Sequence, residues 1–269
     1  MKARSDKRPI GIFDSGVGGL TVFKEIIKEL PRENIVYLGD TARVPYGTRS
    51  PEIVMKYSFE NAKFLMSKGI KILVVACNTS SSISLPSLVE NFPVDVVGVV
   101  APGARAAVAR SRKKKIAVIG TETTIKSGSY AKAIKAIDKS IATKGIACPL
   151  FVPLVEEGWT NGDIVTLTAK KYLSPLKKFG ADVLILGCTH YPIIKDVIED
   201  VVKIPLIDSA AETAKEVRRI LEERNILRHD SGKPKVEFFV TDAPEKFVQT
   251  GERFLGRRIS NISRVNIGG

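Results

Sequence analysis

Cysteine and histidine are scarce in this chain: its 269 residues hold three of the first and two of the second. So sparse and odd a cysteine set argues against a disulfide framework and fits a reducing compartment. Neither residue type clusters at zinc spacing, so no metal site is expected. No G-x-x-x-x-G-K-[ST] phosphate loop occurs. No apolar run approaches the ~18 residues that a membrane helix needs. The N-terminus, Met1 to Arg8, is charged and no apolar stretch follows it, so no secretory signal is expected. Acidic residues are outnumbered, 29 against 42 Lys and Arg, for a formal net charge of +13. That surplus attracts anions, whether an acidic substrate or nucleic acid. Its densest cluster, Arg110 to Lys115, has no interleaved aromatic residue, which argues against a stacking platform for single strands. A solvated, Lys-rich surface is its default reading.

What is present suits an ordinary buried core, at 44% hydrophobic residues. Four short apolar runs end in small or polar residues: Ile10–Phe13 before Asp14, Ile72–Ala76 before Cys77, Ile116–Ile119 before Gly120 and Thr121, and Val183–Leu186 before Gly187 and Cys188. Such runs suit central parallel strands covered on both faces. Ile35–Leu38 and Val236–Val240 read as further strands. Amphipathic stretches predict helices over Leu20–Leu30, Pro51–Lys68, Tyr130–Ile141, Ile164–Phe179 and Ala210–Glu223. Strands alternating with helices predict an α/β fold. The order of runs repeats, which divides the chain into similar halves at residues 8–100 and 101–207, with a tail that packs back on one of them. Ligands of parallel sheets bind beyond the carboxyl ends of the strands. Asp14, Cys77, Thr121 and Cys188 all sit at such ends.

Two stretches carry most of the chemical signal. Cys77-Asn78-Thr79 and Cys188-Thr189-His190 follow matching apolar runs. A lone cysteine is by default a small buried hydrophobe. Two at equivalent points of a repeat form a candidate acid/base pair. Each is expected to open a helix, where a thiol's pKa is lowered. His190 could move a proton on or off Cys188. Asp14-Ser15-Gly16-Val17-Gly18-Gly19 follows a strand and opens a helix, whose dipole should favour an ionised Asp14. Tyr46 and Gly47 sit in a turn after another strand, placed to bind a ligand or cover the cleft. Glu156 is a candidate second assisting carboxylate. Cys148, with no polar cluster after it, reads as structural.

With these segments assembled, the chain resembles the cofactor-independent glutamate racemases of the aspartate/glutamate racemase superfamily. The matching segments are Ile12–Gly19, Pro45–Gly47, Ala76–Thr79, Gly120–Thr124, Val152–Glu156 and Gly187–Pro192. The resemblance implies two α/β domains related by a pseudo-two-fold axis, residues 8–100 plus 208–257 and residues 101–207, with the active site between them. It implies that Cys77 takes the α-proton of D-glutamate and Cys188 that of L-glutamate, assisted by Asp14, Glu156 and His190. Asp14, Ser15, Tyr46, Gly47, Asn78, Thr79, Thr121, Thr124, Thr189 and His190 would hold substrate. No cofactor is implied, and the role implied is supply of D-glutamate for peptidoglycan in the bacterial cytoplasm. The family is commonly dimeric, so a homodimer is among the expectations. Ser80 stands where the family often has Ala, a small change. His190 favours glutamate over aspartate, since aspartate racemases more often carry Glu there. The rival readings are an aspartate or hydantoin racemase and, from a different class, a basic protein that binds nucleic acid or a topoisomerase.

Overall fold

The computed structural model describes residues 5–268, so Met1 to Arg4 of the charged N-terminus lie outside it. Among the described residues the strands are β1 (Ile10–Asp14), β2 (Ile35–Gly39), β3 (Ile72–Val75), β4 (Asp95–Gly98), β5 (Lys115–Gly120), β6 (Ala142–Ala147), β7 (Val183–Gly187), β8 (Leu206–Asp208), β9 (Val236–Val240) and β10 (Ile262–Arg264). They form two wholly parallel sheets, in the orders β10-β9-β2-β1-β3-β4 and β6-β5-β7-β8. The order β2-β1-β3-β4 of the first recurs as β6-β5-β7-β8 in the second. The repeat read from the sequence is therefore a repeat of topology. Every residue of β1, β2, β3 and β7 is buried, as strands covered on both faces require.

Helices fill the crossovers. Leu20–Glu29 buries Leu20, Val22, Phe23 and Ile26 on one face. Pro51–Ser67 starts with Ser50 accepting from the Ile53 amide and Pro51 in the first turn, where its missing N–H costs nothing. Asp163–Phe179 stops at Gly180, whose φ of 73° only glycine adopts freely. Helix Ser209–Glu223 packs on Leu20–Glu29 and on Val100–Arg110, and β9 with β10 extends the larger sheet beyond β2. One buried apolar cluster runs from Ile12 and Leu20 through Ala210 and Val217 to Leu184 and Leu186, so the two sheets share a core.

In each sheet the chain leaves the first strand towards one neighbour and returns on its other side. The reversal falls between β1 and β3 and again between β5 and β7. Such switch points open a crevice at the strands' carboxyl ends. Asp14 and Cys77 stand at one, Thr121 and Cys188 at the other. The Arg110–Lys115 cluster lies at the opposite end of β5. There Ser111 and the amides of Arg112 and Lys113 all donate to Asp182, and Lys114 pairs with Asp138. No helix among the described residues is long and apolar enough to cross a membrane.

Candidate active site

Both switch points open on one cavity of about 370 Å³ that contains Cys77 and Cys188. Ser15, Asn78 and Thr79 line it from one sheet, and Thr121, Glu156, Thr189 and His190 from the other, with Tyr46 and Gly47 between. Of the candidate catalytic and substrate-binding residues, Asp14 and Thr124 alone do not reach its surface. Asp14 is fully buried behind Ser15. Thr124 backs the wall, its hydroxyl 3.0 Å from that of Thr121 and 3.3 Å from that of Thr79. A larger open groove of about 870 Å³ beside Arg110, Lys195 and Lys203 holds no thiol and none of the candidate site residues.

Cys77 caps the helix Asn78–Asn91, and the Ser81 amide closes the first turn on its carbonyl at 2.8 Å. The expected lowering of its pKa does not occur. Burial and the negative charge of Asp14 push the thiol up to about 12, outweighing the Ser80 amide and the Ser15 hydroxyl 3.7 Å away. Asp14 also departs from expectation: burial raises its pKa, against the charge of His190 and the amides of Gly16, Gly19 and Ser15. Its Oδ2 accepts from the Gly16 amide at 3.0 Å, while its buried Oδ1 has no partner among the described residues.

Cys188 does not repeat this setting, which corrects the expectation that both thiols open a helix. After β7 the chain turns through Cys188–His190 into a short 3₁₀ stretch, Tyr191–Ile194, and only then into helix Lys195–Val202. Pro192 is the cause. An α-helix would need the residue-192 amide to bond the Cys188 carbonyl, and proline has no N–H. The Tyr191 amide takes that carbonyl instead, at 3.2 Å. In place of a helix terminus Cys188 has His190, whose Nδ1 lies 3.9 Å from Sγ. The far nitrogen, Nε2, is 3.0 Å from Glu156 Oε1. Burial opposes a charged imidazole, but the bonds to Cys188 and Glu156 outweigh it and lift His190 to about 10. Burial likewise opposes ionisation of Glu156, and its bond to His190 overrides this and lowers the carboxyl's pKa.

The two halves meet in close contacts around the cavity. Thr21 donates to the Thr189 carbonyl at 2.9 Å, and Thr79 and Thr121 share a hydroxyl contact of 2.9 Å. A β-carbon on Gly47 would lie 2.7 Å from Thr121 Cβ, so only glycine fits that crossing. Tyr46 presents its ring and backbone rather than its hydroxyl. That hydroxyl bonds Asp40 and accepts from Asn61 at 3.0 Å.

A family model described as Asp/Glu/Hydantoin racemase matches residues 10–217. The chain belongs to this family. It is 52% identical over 262 residues to a glutamate racemase of Geobacter metallireducens, covering 97% of each chain. Among solved structures it is similar to a glutamate racemase of Francisella tularensis in complex with D-glutamate, with a TM-score of 0.93 and 39% identity over 97% of this chain and 98% of that one. It is also similar to a glutamate racemase isoform of Bacillus anthracis, with a TM-score of 0.94 and 43% identity over the same shares.

The family match ends at residue 217, yet the tail beyond it touches the site. Helix Pro244–Leu255 sends Arg253 to the Glu156 carbonyl at 2.7 Å and sets the Phe254 ring edge-on to His190, centroids 5.9 Å apart. Neither contact is visible in the sequence, because nothing local in the tail names a partner so far away along the chain. Tyr130 is a third such residue, bonding Asn78 from behind. Cys148 is fully buried away from the cavity.

Proposed function

We propose that this protein is a glutamate racemase in which one of Cys77 and Cys188 removes the α-proton and the other delivers a proton to the opposite face. One observation carries the reading: two thiols from the switch points of two topologically equivalent sheets line one cavity. The full-length similarity to glutamate racemases supports it. The same reading divides the chain into residues 8–100 plus 208–257 and residues 101–207; sheet membership supports the division in outline, with β10 at Ile262–Arg264 carrying the first unit past residue 257 and β8 carrying the second to Asp208.

A thiolate on one face of the Cα removes the proton while the opposite thiol delivers one. Burial and Asp14 hold Cys77 protonated, so it is the donor in the form that accepts L-glutamate, and Cys188 is the base. His190, oriented by Glu156, exchanges the proton at Cys188. Ser15 is the group in contact with Cys77, and Asp14 acts on that thiol through charge. The α-proton is only weakly acidic, so the developing carbanion needs a dry site with oriented donors. The cavity wall contains no Lys or Arg among the described residues. Hydroxyls of Ser15, Thr79, Thr121 and Thr189, with the amides of the Asn78–Asn91 N-terminus, are the donors available to two carboxylates.

By the same reading the enzyme works in the bacterial cytoplasm and supplies D-glutamate for peptidoglycan, and the resemblance carries a homodimer. On this reading nucleic acid is not the main partner; the basic cluster lies at the far end of β5 from the cavity, where Lys114 pairs with Asp138. Rates on glutamate, aspartate and a hydantoin test the substrate assignment. Glutamate should exceed both by at least about 100-fold in kcat/KM. Equal or faster turnover of aspartate or the hydantoin would overturn it.

A further inference from the structure

Asn78 and Tyr130 meet across the two halves. Asn78 begins the helix after Cys77, and Tyr130 lies on helix Ser129–Ile137, which packs with the smaller sheet. The Asn78 Nδ2 donates to the Tyr130 hydroxyl at 2.7 Å, and that hydroxyl lies 3.1 Å from Ser209 Oγ. The tyrosine ring is buried in a space that glycines leave open. A β-carbon on Gly187, next to Cys188, would stand 3.2 Å from its Cε2, and one on Gly103 would stand 3.6 Å from its Cε1.

Burial raises the pKa of Tyr130, so the group stays a neutral hydroxyl. A hydroxyl that accepts from Nδ2 has one proton to give, and Ser209 Oγ is within reach to take it. The chain of bonds then runs in one sense, from Asn78 through Tyr130 to Ser209. It anchors the amide nitrogen at the back of the wall. Among the described residues nothing donates to Asn78 Oδ1, and Asn78 lines the cavity. A free carbonyl oxygen there repels a carboxylate and accepts from a cationic donor. Of the groups on an acidic amino acid, only the α-ammonium is one.

We propose that Tyr130 is a positioning residue, which holds the Asn78 amide nitrogen so that Asn78 Oδ1 becomes the acceptor for the substrate's α-ammonium. The inference rests on the amino-acid racemase reading above. Failure of the wild-type protein to racemise glutamate would therefore overturn that reading first, and the comparison below uses wild type as its baseline.

The experiment compares glutamate with glutarate, the same dicarboxylate without the ammonium. In Tyr130→Phe, kcat/KM for glutamate should fall about tenfold or more, the scale of one oriented hydrogen bond. The inhibition constant of glutarate should stay within about twofold of wild type, because no group that binds it has moved. Ser209→Ala, which removes the acceptor but keeps Tyr130, should shift glutamate in the same direction by less and leave glutarate unchanged. An unchanged kcat/KM in Tyr130→Phe overturns the proposal. So does a parallel loss of glutarate binding, since Tyr130 would then shape the whole cavity. Should Tyr130→Phe fail to fold, Ser209→Ala decides by the same two readings.

Discussion

Gly18 lies directly against His190: a β-carbon at position 18 would stand 2.5 Å from the imidazole Nδ1 and would also strike the Thr189 hydroxyl. The glycine-rich loop after β1 thus does more than turn the chain. It lets one half press its backbone against the proton-handling side chain of the other. Neither partner can yield easily, because the ring is held by Glu156 and faced by Phe254. Gly18→Ala should destabilise the fold by about 1–3 kcal/mol, the usual cost of overpacking. It should also displace the ring from Cys188 and lower kcat at least about tenfold. Thermal unfolding and steady-state racemisation check both halves of this.

Folding raises His190 from the ordinary imidazole value near ~6.5 to about 10. The folded state therefore binds a proton that the unfolded state releases between those values. The stabilisation is complete below about pH 6.5 and is lost as pH rises through 10. The difference in melting temperature between wild type and His190→Asn should accordingly shrink across that window. A difference that stays constant from pH 6 to pH 10 would show that His190 does not gain its proton on folding.

Arg253 is exposed, yet it donates to the Glu156 carbonyl at 2.7 Å and to Thr250 at 3.2 Å. Arg253→Ala should change global stability by no more than about 1 kcal/mol. It should loosen Glu156, and through it His190, so that racemisation falls about three- to tenfold. Chemical denaturation alongside kinetics separates the two effects. Arg253→Lys, which keeps one donor, should recover part of the rate.

The inner strands were legible because burial on both faces writes a continuous apolar run, as in Ile72–Val75 and Val183–Gly187. β6, with the sequence Ala-Thr-Lys-Gly-Ile-Ala, is a half-exposed edge strand and carries no such run. The helices Val100–Arg110, Phe151–Glu156 and Pro244–Leu255 also escaped, along with the short strands β4, β8 and β10. The candidate site was legible where chemistry repeats, at Cys77 and Cys188, and where a motif stands beside a strand end, at Ser15 and Thr121. Its electrostatics were not. A helix N-terminus alone predicts a lowered thiol at Cys77, but burial and Asp14 are the larger effects there, and both depend on tertiary packing. Pro192 carried a readable warning that Cys188 would not cap an α-helix. Tyr130 and Arg253 had no local signature at all, because each acts on a partner that only the fold supplies.

The two thiols carry the proposed mechanism. The decisive measurement follows L-glutamate in deuterated water, with deuterium at Cα read by NMR and optical activity by polarimetry. The wild-type protein should incorporate solvent deuterium as the optical activity decays. Cys77→Ser and Cys188→Ser should each lower racemisation by about 10²–10⁴-fold, the scale of a positioned acid or base. Cys148→Ser, altered at the buried thiol outside the cavity, should stay within about twofold of wild type. Racemisation at the wild-type rate in either the Cys77 or the Cys188 variant would contradict the two-thiol mechanism.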